Sequence, residues 1–234
     1  MSDGIVITPI ARVCSDFGGK FGIPRQSGVV PELSATVVFE PAYREAEALR
    51  GIEGFSHLWL IWGFSENFGK PWSPLVRQPR LGGNTRMGVF ATRAPVRPNP
   101  LGLSCVKLES VELSTPDGPV LRVSGADLMD GTPIYDIKPY VPYVDARPEA
   151  SGGFTAATPR RRLTVDCPPD LLDKVPPEKR EALLGVLAED PRPAYQEDPR
   201  RVYGLAFAGL EVRFTVAEGT LTVRSVSPGA QDFT

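Results

Sequence analysis

The first half of this chain is a succession of short apolar and β-branched runs, broken by proline, glycine and asparagine, with almost no helical pattern between them. Residues 5–13, 35–40, 56–64, 87–92, 102–113 and 120–124 each read as strands. Only residues 41–49, with Ala46, Ala48 and Leu49, offer a helical turn or two. Strands that follow one another without crossover helices do not build a doubly wound α/β sheet, so a β-barrel or strongly curved sheet is expected. Residues 56–64 (SHLWLIWGF) are the longest apolar run of strand length, and burial on both faces is expected there. His57, inside that run, reads as a buried, hydrogen-bonded neutral imidazole.

The composition changes after residue 147. Residues 148–162 (PEASGGFTAATPRRR) are small, polar and rich in proline and glycine, as in a linker or long loop. Beyond them, residues 177–189 carry Leu183, Leu184 and Leu187 on one helical stripe, with Pro177 at the start. Residues 201–207, 210–216 and 220–226 read as strands, the last two joined by a hairpin across Ala217, Glu218 and Gly219. Two domains are expected, 1–150 and a smaller α+β unit of 151–234.

Charge is unevenly placed. The 234 residues hold 26 basic and 28 acidic side chains, yet the stretch between Glu66 and Glu109 has no acid and seven basic residues. These are Lys70, Arg77, Arg80, Arg86, Arg93, Arg97 and Lys107. A near-neutral chain with one such segment suits a polyanion or a carboxylate-bearing ligand. Within it, Arg80 and Arg86 flank a Gly-Gly-Asn turn, and Arg97 opens a Pro-framed loop (RPNP).

Other chemistries are excluded. One histidine rules out HExxH and multi-histidine metal centres. Three dispersed cysteines with no CxxC give neither a zinc site nor a disulfide framework. No GxGxxG or Walker sequence appears. No apolar run approaches the ~20 residues that span a bilayer, and the N-terminus does not read as a secretory signal. Residues 127–143 (DLMDGTPIYDIKPYVPY) crowd three carboxylates, one lysine and three tyrosines together. They read equally as turn carboxylates with half-buried rings and an Asp136–Lys138 surface pair, or as the wall of a ligand site.

Taken together, PRQ (residues 24–26), GFSHLW (54–59), RLGGNTRMGVFATR (80–93), RPNPLGLS (97–104), DLMDGTPIYDIKPYVPY (127–143) and DPRPAY (190–195) closely resemble the TrmO family. These are tRNA threonylcarbamoyladenosine N6-methyltransferases. The resemblance implies a mainly β, non-Rossmann fold in which a single-sheet β-barrel binds S-adenosylmethionine (SAM) and a small α+β domain follows. It also implies a homodimer acting on tRNA, while the dispersed cysteines by themselves point to a reducing cytoplasm and no metal.

Carried onto matching positions, the donor contacts are Gln26, Ser27, Gly28, Ser65, Glu66, Arg93, Leu103, Gly125, Ala126 and Asp127. Ser27 stands where many relatives have proline, so a backbone contact is implied there, and Leu103 is expected to pack its side chain on the donor. Asp127, Asp136 and Tyr140 are candidate proton acceptors, beside Asp130. Arg25, Arg80, Arg86, Arg97, Arg192 and Tyr195 are candidate substrate contacts, with the Arg160–Arg162 run as a further phosphate site. Two other readings use the same residues: a non-enzymatic RNA-binding barrel, and a SAM-dependent methyltransferase of a small molecule.

Overall fold

The computed structural model describes residues 4–77, 85–156, 162–193, 196 and 198–229. The first three strands are β1 (Ala11–Cys14), β2 (Ser34–Phe39) and β3 (His57–Gly63). A short hairpin, β4 (Leu75–Arg77) and β5 (Arg86–Gly88), stands outside the sheet they form. Then come β6 (Leu101–Glu112), β7 (Val120–Ser124) and β8 (Pro133–Pro139). The six long strands close into an all-antiparallel barrel in the order β1-β2-β7-β6-β3-β8, with β8 returning to β1 through Ala11–Ile134 and Arg12–Pro133. The mainly β fold expected from the strand pattern is therefore present.

β3 shows why the barrel has one inside. Leu58, Leu60 and Trp62 are buried with Val106, Leu121 and Ile134, whereas His57, Trp59 and Ile61 are only half-buried. The expectation of burial on both faces is thus corrected. Successive side chains on a strand alternate faces, and a barrel's outer face has no second sheet to cover it. His57 shares this fate: it is half-exposed, with Nδ1 2.9 Å from Ser56 Oγ.

Two further expectations change. Regular pairing begins at Ala11 rather than residue 5. The strand expected at 87–92 ends at Gly88 and gives way to a 3-10 turn, Val89–Ala91, whereas residues 41–49 supply the expected helical turn or two as two 3-10 turns. β8, which begins at Pro133 and ends at Pro139, is a strand that the sequence pattern does not announce.

After β8 a short helix, α1 (Pro142–Asp145), stays with the barrel; the C-terminal part holds β9 (Thr164–Asp166), α2 (Pro169–Leu172) and α3 (Pro177–Ala188), followed by β10 (Tyr203–Phe207), β11 (Leu210–Ala217) and β12 (Thr220–Pro228). Its sheet runs β10-β11-β12-β9, with β9 parallel to β12. α3 buries Ala182, Leu183, Val186 and Leu187 against Leu205, Phe214 and Leu221.

This core also takes in residues from near the N-terminus. Phe17, Val30 and Leu33 are buried in it, with Phe21, Ile23 and Val29 packed against it. Phe17 meets Phe207 edge-on at 5.5 Å. Ala208 N–H donates to Asp16 O (2.9 Å), and Lys179 Nζ bridges Asp16 Oδ2 (2.7 Å) and Ser34 Oγ (3.3 Å). Residues 17–33 are thus packed by the C-terminal half of the chain.

Candidate functional site

β6 and β7 pair from Lys107–Ser124 onward, and beyond that point they separate. β7 continues into a turn at Gly125, whose N–H donates to Leu33 O (2.7 Å). The loop held by the C-terminal core fills the opening. Gly28 N–H donates to Gly125 O (2.8 Å), and Ser27 Oγ accepts the N–H of Cys105 on β6 (3.1 Å). The Ser27 hydroxyl therefore has its own structural partner, which the backbone-only expectation for this position did not include.

That last bond fixes the polarity of the cleft edge. In an antiparallel strand both main-chain groups of a residue point the same way, and neighbours alternate. Cys105 directs its N–H away from β3, so Leu103, two residues earlier, also turns its N–H and C=O away from β3 and toward the opening. Its side chain is 54% exposed on the barrel's outside, beside Ile61. Leu103 thus offers the cleft a bare strand edge.

Asp127 lies next along the chain. Ser104, facing the barrel interior and fully buried, donates its hydroxyl to Asp127 Oδ1 (2.6 Å) and accepts the indole N–H of Trp62 (2.9 Å). Burial raises the Asp127 pKa above the usual carboxylate range. The Ser104 hydrogen bond, nearby backbone N–H groups and the Arg93 charge oppose that rise without cancelling it. Arg93 itself donates to Gln26 Oε1. Gln26, Ser27, Gly28, Arg93, Gly125 and Asp127 are therefore brought together from three separate stretches. Ala126 is buried in the barrel core, so only its backbone is available there.

The remaining sequence candidates fall elsewhere. Ser65 and Glu66 form a 3-10 turn after β3, with Glu66 3.3 Å from Lys20 of the loop that leads to Gln26. Asp136 and Tyr140 lie on the outer face of β8. There Asp136 sits 2.9 Å from Lys138, and Tyr140 packs on Trp59 at 5.7 Å and His57 at 6.1 Å. Asp127 bonds the inward-facing Ser104, so the three proposed proton acceptors do not meet in one chain. Asp130 accepts the Ser15 N–H (3.0 Å) as a turn carboxylate.

Arg25 is exposed beside Gln26, and Arg86 is exposed on β5. Arg97 braces the Val89–Thr92 turn through Thr92 O (3.0 Å). Arg192 grips Asp190 with two bonds of 2.7 and 2.8 Å in the C-terminal half. Arg80, Arg160, Arg161 and Tyr195 lie outside the described residues.

Ser104 and Trp62 were missed by sequence reasoning. The available signal was a serine at an inward position of an otherwise apolar strand, where a buried hydroxyl requires a partner. The three thiols are all pushed up, chiefly by burial, so none is a ready nucleophile. Among the described residues there is no cluster of ligands for a metal, and no helix is long and apolar enough to cross a membrane.

Comparison with known proteins identifies the family. Residues 12–146 match the tRNA-methyltransferase O N-terminal domain family, and residues 163–229 match the TrmO C-terminal domain family. The chain is 38% identical over 227 residues to the tRNA (adenine(37)-N6)-methyltransferase of Escherichia coli K12, covering 94% of this chain and 96% of that one. It is 41% identical over 219 residues to Pseudomonas aeruginosa RcsF, whose name describes an S-adenosylmethionine-dependent methyltransferase (89% and 91% covered). A crystal structure of TrmO from the same species superposes with a TM-score of 0.80 at 34% identity, covering 98% of this chain and 99% of the other.

Proposed function

Because the chain belongs to the TrmO family, it is a SAM-dependent methyltransferase of adenine 37 in tRNA, and we propose that the opening between β6 and β7 is where donor and adenine meet. The observation that carries this placement is the convergence of Gln26, Ser27, Gly28, Arg93 and Asp127 at a bare strand edge.

The residues present fit the donor. Gly28 adopts φ +72°, and a side chain there would project into empty space, so the cleft is left open at that point. The Leu103 edge suits the adenine moiety, Arg93 and Gln26 suit the donor's carboxylate, and the Asp127 carboxylate suits its positive end. When bound, SAM supplies a methyl group already activated by the sulfonium. Ser65 and Glu66 would close the wall on the Lys20 side.

The chain's own task is to orient the acceptor, exclude water and take a proton. The N6 lone pair is delocalised into the purine, and its proton must leave as the new bond forms. Asp127 is the acceptor of that proton in this reading, because its raised pKa makes it a stronger base than an ordinary carboxylate. Ser104 fixes the carboxylate through Oδ1, and Trp62 fixes Ser104.

We take the substrate adenine to carry a threonylcarbamoyl group on N6. Arg25, exposed beside Gln26, then reads its carboxylate, and a plain adenosine leaves that arginine unsatisfied. We further propose a cytoplasmic homodimer in which the outer face of β6, β3 and β8 meets a second copy. Leu101, Leu103, Tyr143 and Val144 are exposed there, so the cleft would border the interface.

Nucleoside mass spectrometry of tRNA incubated with SAM and the purified protein tests the reading. Methyl transfer confined to threonylcarbamoyladenosine is expected. Equal methylation of unmodified adenosine would discard the role of Arg25, and no transfer would discard the enzyme. Arg93→Ala should weaken SAM binding about tenfold or more by calorimetry, the size of a lost charge-assisted bond; undiminished affinity would move the donor elsewhere.

Ser104→Ala removes a bond that favours ionised Asp127, so burial raises the carboxyl further. More of it is then protonated at a given pH, and the acid limb of the rate profile should move to higher pH. A limb that stays put or moves down would remove Asp127 as the base.

A further inference from the structure

The β4–β5 hairpin and the turn after it carry a surface that the cleft does not use. Phe90 is 75% exposed and Trp72 48% exposed, with ring centroids 6.4 Å apart and planes tilted by 35°. Large exposed rings need a reason, and these are not loose. Val89, beside Phe90, is fully buried, and its N–H donates to Pro74 O (2.9 Å). Thr92 closes the turn onto Val89 O through both its N–H (3.1 Å) and its hydroxyl (2.9 Å). Phe90 is therefore held outward by a fixed turn.

The charge around the pair identifies the occupant. Arg77 and Arg86 are directly opposed on β4 and β5, and both are exposed. Cross-strand partners share a face, and like charges so placed repel. Among the described residues neither arginine has an acidic partner, and no acid lies between Glu66 and Glu109 in the sequence. An anion with flat apolar faces meets both demands at once. Bases stack on aromatic rings whatever their identity, while guanidinium groups hold the backbone. The surface adjoins the cleft along the chain, because the turn bearing Phe90 ends at Thr92 and the next residue, Arg93, bonds Gln26.

We propose that Trp72 and Phe90 are a stacking platform for an unpaired base flanking adenine 37, with Arg77 and Arg86 on the adjoining phosphates. The proposal rests on the tRNA methyltransferase reading above and adds the surface that positions the RNA.

The test uses the full-length protein, and tRNA from cells lacking the enzyme. Phe90→Ala and Trp72→Ala should each raise KM for tRNA on the order of tenfold, leaving SAM affinity and the salt dependence of KM unchanged. Phe90→Trp should retain near-normal KM, because any aromatic ring can stack. Arg86→Ala should instead reduce the salt slope by about one unit. Normal KM in Phe90→Ala, or equal loss in Phe90→Trp and Phe90→Ala, would overturn the platform. So would a fall in sedimentation mass in either alanine variant, which would assign the rings to a second copy of the chain. Wild-type protein assayed on the same tRNA separates the two claims. If it is active and the variants match it, the platform alone fails; if it is inactive, the activity beneath it fails as well.

Discussion

Replacing Asp127 with asparagine should lower the rate of methyl transfer by about 10²–10⁴-fold, the usual cost of removing a general base. The substitution keeps the shape and an oxygen to accept the Ser104 hydroxyl, so the loss is chemical. Stability should move the other way. A carboxyl whose pKa is raised on folding favours the folded state at low pH, and that contribution is lost as pH rises through its folded pKa. At neutral pH the ionised Asp127 therefore weakens the fold. Asp127→Asn should melt at the same temperature as wild type or higher at pH 7, with the difference vanishing in acid. A variant that keeps its rate, or one that loses it only by unfolding, would transfer the proton to another group.

Gly22→Ala should be among the most damaging single changes outside the cleft. Gly22 has φ +88°, and a Cβ there would lie 2.2 Å from Leu205 Cδ1 on β10. Left-handed strain and overpacking add, so about 2–4 kcal/mol of stability is at stake. Gly22 precedes Gln26 by four residues in the loop packed into the C-terminal core, so SAM affinity should fall as well. The three tryptophans, Trp59, Trp62 and Trp72, all belong to the N-terminal half. Their fluorescence in urea should follow the same single, destabilised transition as far-ultraviolet circular dichroism. A normal fluorescence transition, with only the circular dichroism shifted, would show that the halves are not coupled through this loop.

Much of the barrel was legible because its strands state themselves. β3, β6 and β7 are apolar runs of the right length with turn residues at their ends. β8 was not, since its prolines and the Asp136–Lys138 pair obscure the alternation, and prolines at strand termini do not stop pairing. β9 is three residues long and exists because β12 offers it an edge.

The cleft is a different matter. Its residues could be named from a family resemblance, but the reason they meet could not. No local pattern announces that Phe17 and Val30 will pack with Leu205 and Phe214, or that Ser27 will reach the edge of β6. Such contacts are long in sequence and obey no period. Ser104 shows the converse: its inward position follows from alternation, yet its partner Asp127 is known only once the strand ends are placed.

The shared core also sets an order of events during synthesis. Residues 17–33 leave the ribosome early, but the surface that steadies them is completed by residues 203–226, among the last translated. A nascent chain with its barrel closed still has an unsupported loop at residues 17–33. On the proposed placement of SAM, competence to bind the donor arrives with chain completion, and a polypeptide stalled or truncated before β10 should lack it.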